Sequence, residues 1–430
     1  MRNMKDSGID WIGEIPEEWT VKRTKNIAKS LSKGSGLTKE DVIEDGDIQC
    51  VRYGEIYSKY ERAFCTTFSR TNINIVSSPK YIQKGDILFT CTGELIEEIG
   101  KNVVYMGEEP CLAGGDIIVM QHEQNPRFLN YALNSSYSQA QKSSGKNKLK
   151  VVHISAGEIG DIVVALPSLN EQNAIADYLD RQCDHIDNII EKTKASIEEY
   201  KKLKQAVITQ VVTKGIRPDR QMKDSGIEWV GAIPSEWKVQ RIKTIFQLRD
   251  ERNYLPLEEV NLISLYTDLG VVQHSDLEKT TGNKASNADG YKKVYENDII
   301  VNIILCWMGA IGRSAYIGVT SPAYDIYVPS DEIECRFYHH YFRTTGFNGD
   351  CYKRGKGIMA MRWRTYSDQF RDIKVVVPPI EEQREVLEYL DRKTAEIDQL
   401  IAKKELFLTE MERYKKSLIF EYVTGKKEVV

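Results

Sequence analysis

No run of roughly 18 apolar residues occurs in this 430-residue chain, and residues 1–11 carry charges where a secretory leader needs an apolar core. A membrane span and secretion are disfavoured, and the expected compartment is the cytoplasm. Eight cysteines are scattered without a C-x-x-C pair or a Cys/His cluster at zinc spacing, which reads as reduced intracellular thiols. Neither G-x-x-x-x-G-K-[ST], nor G-x-G-x-x-G after a strand, nor H-E-x-x-H is present, so nothing is built to cradle a nucleotide or a catalytic zinc. The one Pro-Pro pair, Pro378-Pro379, sits between Val377 and Ile380 and lacks the Asp/Asn-Pro-Pro-aromatic arrangement that holds an amino group for methyl transfer. Six histidines show no repeated partner at catalytic spacing, and His339-His340 reads as a surface pair more readily than as a metal site. No catalytic residue and no metal site are expected on this chain.

One-sided charge is lacking too. Fifty-nine basic against sixty-three acidic side chains give a net charge of −4, which argues against a generic nucleic-acid coat and leaves the local distribution to decide. At 41% apolar and 28% charged the composition is that of a folded chain, and its length suggests two to four structural units.

What is present is a repeat. Residues 4–27, MKDSGIDWIGEIPEEWTVKRTKNI, return at 222–245 as MKDSGIEWVGAIPSEWKVQRIKTI, with 16 of 24 positions identical. LPSLNEQNAIADYLDRQCDHID from Leu166 returns as VPPIEEQREVLEYLDRKTAEID from Val377. The offsets are 218 and 211, so the chain is a tandem duplication whose framework is kept. The segments between, 28–165 and 246–376, share little beyond scattered turn and strand signals. Two modules doing one mechanical job on two different targets would look like this; slower drift in the frames is the plainer alternative.

After Pro167 and Pro379 no Pro or Gly interrupts residues 170–214 or 380–424, and Asn170 or Glu381 lies near each start. A long helix is expected in each half. A 3-4 spacing marks Leu179, Cys183, Ile186, Ile190, Thr193, Ile197, Tyr200, Lys204 and Val207 on the first, and Leu390, Thr394, Ile397, Ile401, Lys404, Leu408, Met411, Lys415 and Leu418 on the second. These imperfect heptads suit an antiparallel coiled coil between the two helices, or packing of each on another protein. Short β-branched runs with Gly/Asp turns fill the variable segments: Gly85-Asp86 punctuates 81–91 and Asn297-Asp298 punctuates 294–304. The expected fold is α+β, duplicated, with domains at 1–165 and 222–376, long helices at 166–215 and 377–430, and a linker at 216–221.

Basic residues concentrate at one equivalent place in each half. KSSGKNKLK holds Lys142, Lys146, Lys148 and Lys150, and YKRGKGIMAMRWR holds Lys353, Arg354, Lys356, Arg362 and Arg364 with Trp363, none of them interrupted by an acid. Gly-flanked cations can approach a phosphate backbone, and an Arg fork can read guanine. A solvated charged face is the bland reading; recurrence in register favours DNA contact by Lys142, Lys146, Lys148, Lys150, Lys353, Arg354, Lys356, Arg362, Trp363 and Arg364. Arg52, Tyr53, Thr90 and Thr92, and Tyr266, Thr267, Asn302 and Trp307, are weaker candidates beside strand and turn signals.

DSGI-W-G-IP-W at 6–19 and 224–237, P-x-x-x-EQ followed by YLD at 167–180 and 378–391, and VVTKG (211–215) with YVTGK (422–426) together resemble the specificity subunit of type I restriction-modification enzymes. The resemblance spans nearly the whole chain. It implies two target recognition domains, each reading half of a split, asymmetric DNA site, with the paired helices fixing their spacing. It also implies two modification subunits and two restriction subunits as partners. These would carry S-adenosylmethionine, ATP and Mg, with adenine N6 methylation and DNA cleavage as their chemistry and no cofactor on this chain. The competing reading is a scaffold that joins two identical partners and never touches DNA.

Overall fold

The computed structural model describes residues 2–76, 78–146, 151–276, 287–357 and 363–429. Two compact units emerge. One comprises Met1–Lys194 with Leu406–Val430, and the other comprises Ala195–Glu405. Each unit thus holds one globule, part of the first long helix, Leu169–Lys214, and part of the second, Ile380–Val423. No helix among the described residues is long and apolar enough to cross a membrane.

In the first unit a five-stranded sheet runs Ala28–Lys33, Ile117–His122, Ile87–Thr90, Asn102–Tyr105, Ala63–Phe64, beside a four-stranded sheet of Ser69–Thr71, Ile48–Val51, Cys111–Ala113 and Tyr81–Ile82. In the second unit the main sheet runs Phe246–Arg249, Tyr324–Pro329, Ile299–Asn302, Ile311–Arg313. The first four strands of one match the four strands of the other in order and in antiparallel pairing. Segments that share almost no sequence therefore carry one core sheet. The expected turns are at equivalent points of it: Gly85 (φ 93°) and Asn297 (φ 71°) are left-handed, and the next residue's carboxylate accepts the main-chain N–H of Gln83 or of Tyr295 at 2.8 Å. Burial raises the pKa of both Asp86 and Asp298, and those hydrogen bonds work against the rise.

The repeated blocks build one clamp twice. Met4–Asp6 pairs with Glu14–Pro16 and Met222–Asp224 with Ala232–Pro234, in the same register. The block's last tryptophan, Trp19 or Trp237, is fully buried and donates its indole N–H to Glu171 (3.0 Å) or Glu382 (2.9 Å) in the first turn of a long helix. Arg2 and Arg220 close on the same carboxylates. The neighbouring glutamine ties the helix start down: Gln172 donates to Pro167 O (3.0 Å) and accepts from Asn125 N (3.0 Å), and Gln383 donates to Pro378 O (2.9 Å) and accepts from Glu334 N (2.9 Å). The aspartate of YLD takes an arginine from the variable segment, Arg127 to Asp180 and Arg336 to Asp391. Motifs that are weak as patterns are thus the parts of one joint.

Helix ends lock into the same joint. Gly215 and Gly425 are left-handed, and a Cβ on Gly215 would meet Glu382 at 2.7 Å and Trp237 at 3.2 Å, while one on Gly425 would meet Pro16 at 2.4 Å and Trp19 at 3.1 Å. The first helix therefore ends against the second unit's framework, and the second helix ends against the first unit's. Lys214 donates to the carbonyl of Ala232, and Lys426 to that of Glu14 (3.3 Å), the equivalent position, although one lysine precedes and the other follows its glycine.

Every seam position read from the heptads is buried or half-buried. The helices pack antiparallel in both units. Tyr178 faces Tyr422 (4.5 Å) and Asp187 faces Lys415 in the first, while Tyr200 faces Lys404 and Lys204 faces Asp398 in the second. The seam lysines are not defects. Lys204 bonds Asp398 at 2.6 Å, and Lys415 bonds Asp187 at 2.5 Å and Glu61 at 2.6 Å, so one cross-helix ion pair occurs at two repeat-related places. A polar pair at a seam costs stability but fixes register, because any slip would strand the charges.

Candidate nucleic-acid interface

Each basic loop leaves a pair of short helices. In the first unit Asn125 caps Pro126–Asn134 by accepting from Phe128 N at 2.9 Å, with Pro126 at the first helical position, and Ser136–Ser143 follows. In the second, Thr344 caps Thr345–Arg354 after Cys335–Phe342. The loops then return to the end of the central strand by the same hydrogen bond: Ile154 N to Cys91 O at 2.9 Å, and Thr365 N to Ile303 O at 2.9 Å. The described ends of both loops, at Ile154 and Thr365, therefore sit beside the residues that follow Ile87–Thr90 and Ile299–Asn302.

The first loop corrects one expectation outright. Lys142 points inward from its helix and is 1% exposed, with its Nζ donating to Gly100 O (2.7 Å) and Asn102 Oδ1 (2.9 Å) and lying 5.5 Å from the centre of the Phe89 ring. Buried like this it cannot reach a phosphate. Lys146 is half-buried and engaged by His153 O (2.6 Å) and Glu158 Oε1 (2.5 Å), so it lacks the open charge expected of it. Lys148 and Lys150 lie outside the described residues.

Burial lowers the Lys142 pKa to about 7, and the neutral amine still has two N–H groups for its two acceptors. The unfolded chain keeps the ordinary value of 10.5 and so binds more protons between pH 7 and 10.5. Below pH 7 both states are protonated and the cost of burying the ammonium is fully present; it fades as pH rises through that window. Lys142→Met strands two buried acceptors, which costs about 1–3 kcal/mol, but it escapes the ammonium penalty, on the order of 3–5 kcal/mol. Relative to the parent, the variant is expected to lose about 3 kcal/mol of stability between pH 6 and pH 9.5, by urea unfolding at the two pH values. A parallel shift at both would exclude a neutral buried lysine.

The second loop is open. Lys353 and Lys356 are exposed, Arg354 is 43% exposed and 3.7 Å from Asp372, and Lys353 has one exposed ion pair, to Glu228 at 2.6 Å. Lys356 and Arg364 bridge main chain to main chain, N–H to O at 2.8 and 3.0 Å, and form no salt bridge among the described residues. Trp363 stacks on Tyr352 with ring centres 5.0 Å apart and planes at 23°, and donates its indole N–H to Tyr352 O at 3.1 Å. Gly355 makes room for that indole: a Cβ there would meet Trp363 Nε1 at 2.2 Å, so this glycine serves ring packing rather than phosphate approach. Arg362 lies outside the described residues.

Among the weaker candidates, Trp307 packs at an angle against Tyr352, ring centres 5.6 Å apart and planes at 59°. Asn302 is a turn residue instead: it is buried, and its Oδ1 accepts from Ile304 N (3.0 Å). Thr90 is buried against Tyr57 (2.8 Å), while Thr92 meets exposed His153 at 3.2 Å beside the first loop. Arg52 is half-buried within 3.6 Å of Glu55, and Tyr53 and Tyr266 are exposed. Thr267 offers its main-chain oxygen to Arg343 at 2.9 Å. Two residues escaped sequence reading: Leu305 and Met308, 36% and 50% exposed in the turn after Ile299–Asn302. They lie just past the strand signal read at 294–304.

The histidine pair is half-buried rather than on the surface. Burial drives His339 down to about 3 and His340 to about 4, and His339 Nδ1 accepts from Arg313 N at 3.2 Å. No cluster of three metal-ligating side chains occurs among the described residues.

The sequence matches the type I restriction modification DNA specificity domain twice, at residues 16–199 and 234–408. This chain belongs to that family. It is a specificity subunit with two recognition domains. A putative type I restriction enzyme MjaX specificity subunit from Methanocaldococcus jannaschii is 25% identical, over 97% of this chain and 96% of its own. The EcoBI specificity subunit from Escherichia coli is 25% identical over 66% of this chain and 62% of its own. The fold agrees with two solved chains. One, from work on complex assembly and conformational transition of the type I R-M system, gives a TM-score of 0.71 at 12% identity, covering 96% of this chain and 99% of that one. The other, the HsdS subunit from Thermoanaerobacter tengcongensis, gives 0.55 at 14% identity, covering 96% and 98%.

Proposed function

We propose that each recognition domain of this specificity subunit reads one half of a split, asymmetric site in double-stranded DNA. The subunit then directs adenine N6 methylation and DNA cleavage by its partners. The observation that carries this reading is the same core sheet, built from unlike sequence in the two units, with an open basic segment, Lys353 to Lys356, beside the end of the central strand in the second. Divergent surfaces on a common frame are what two different half-sites require. A scaffold indifferent to DNA would have no use for them.

Two modification and two restriction subunits are the proposed partners, holding S-adenosylmethionine, ATP and Mg, so that this chain recognises and does not catalyse. Duplicated docking faces support two copies of one partner. Leu203 and Tyr414 occupy repeat-related places, 211 apart, and both are exposed, at 48% and 52%, on the outer faces of the long helices. The complex would act in the cytoplasm, where host DNA lies.

Mapping N6-methyladenine across the host genome with and without this chain tests the reading. Loss of one gapped motif is expected. Exchanging residues 28–165 for those of another specificity subunit should change one half of that motif and leave the other; change in both halves, or no motif lost from an active system, contradicts the proposal.

A further inference from the structure

In the second unit the turn after Ile299–Asn302 ends in two large apolar side chains that the fold does not cover. Leu305 is 36% exposed and Met308 50%, and Tyr352, 51% exposed, continues the same edge through its contact with Trp307. One scattered apolar residue on a surface needs no explanation, whereas several exposed along one edge make a candidate contact surface. Its surroundings narrow the choice of partner. Lys353, Arg354, Lys356 and Arg364 flank the edge in sequence; Glu228 pairs with Lys353 and Asp372 lies 3.7 Å from Arg354, while Lys356 and Arg364 form no salt bridge among the described residues. Such a rim suits a polyanion rather than an apolar protein face. The repeat-related turn in the first unit differs: Glu94, Leu95, Glu97 and Glu98 are all exposed there.

Unmodified duplex DNA carries one methyl group in its major groove, the 5-methyl of thymine, set among hydrogen-bond donors and acceptors on the base edges. Resting on the function proposed above, we infer that the second recognition domain selects a thymine in its half-site by packing that methyl group against Leu305 and Met308. The flanking cations hold the phosphates on either side. Leu305 and Met308 would then set specificity, while the Tyr352–Trp363 stack supports the loop beside them.

The test uses the assembled complex and its own methylation motif. The exchange of residues 28–165 identifies the half-site that persists, which is the one read by the second domain. Each thymine of that half-site, on either strand, is replaced in turn by deoxyuridine, which removes only the methyl, and binding is measured for the parent and for Leu305→Ala/Met308→Ala. Both side chains are exposed, so truncation should leave the fold intact, checked by an unchanged melting profile. One replacement is expected to weaken the parent about fourfold, the value of one buried methyl-sized group. The variant should bind thymine and deoxyuridine duplexes alike. A half-site without thymine, a parent indifferent to every replacement, or a variant that keeps the parent's sensitivity overturns the inference. Loss of partner subunits from the variant complex would do so too, by making the edge a protein contact. Equal binding of the parent to all duplexes would instead defeat the broader reading of function.

Discussion

Replacing Glu382 by alanine is expected to destabilise the second unit by about 3–5 kcal/mol, among the largest effects available to one substitution in this chain. The carboxylate is 3% exposed and holds two groups at once, the Arg220 guanidinium, itself 10% exposed, and the indole N–H of fully buried Trp237. Removing it leaves a buried donor without an acceptor and leaves Arg220 with only the exposed Glu236, 3.4 Å away, as counter-charge. Glu171 binds the same two groups in the first unit, yet it is 24% exposed and its arginine, Arg2, 19%. Water can therefore replace part of what Glu171→Ala removes, and that variant should lose about half as much or less. Urea unfolding followed by hydrogen exchange of each unit separates the two. Equal losses would mean that solvent access does not govern the joint. In the double variant Arg220→Met/Glu382→Met most of the loss should return, because the stranded charge goes with its partner.

The second large effect concerns DNA. With Arg354, Lys356 and Arg364 changed to alanine, the assembled complex should bind its site more weakly and with a shallower dependence on salt. The log–log slope should fall by about 0.9 for each phosphate left without its cation, or about 2.7 if all three side chains touch the backbone. Lys142→Met is the matched control: that lysine belongs to the first basic segment by sequence, but its ammonium is sealed inside, so its removal should leave the slope unchanged. Fluorescence anisotropy on one duplex across a salt series reads both. An unchanged slope in the triple variant would remove this loop from the interface, and a changed slope for Lys142→Met would mean that Lys142 leaves its buried site on DNA.

Much of the architecture was legible in the chain because it is written in local patterns. The long helices follow from 3-4 spacing without Pro or Gly, their seam from which positions are apolar, and their antiparallel partner from the duplication itself. Lys204 and Lys415, awkward as seam residues, became informative only when paired with Asp398 and Asp187, which sit 211 residues apart like the lysines themselves. The EQ dipeptides, too, could be found but not explained: their glutamates serve tryptophans about 150 residues away.

By itself the sequence determined the duplication, the two turns at Gly85-Asp86 and Asn297-Asp298, the helix lengths and the family. Tertiary structure alone decided that segments 28–165 and 246–376 share one strand order, since strand pairing depends on which edges meet and many sequences satisfy the same alternation of buried and exposed faces. It also decided which cations are free. Lys142 and Lys356 look alike in a basic run, but one lies on a helix face turned towards Gly100 and Asn102 while the other lies past the helix end in solvent. Charge is a property of the residue, whereas its availability depends on the direction of the side chain and on groups brought near from far along the chain, and only folding sets those.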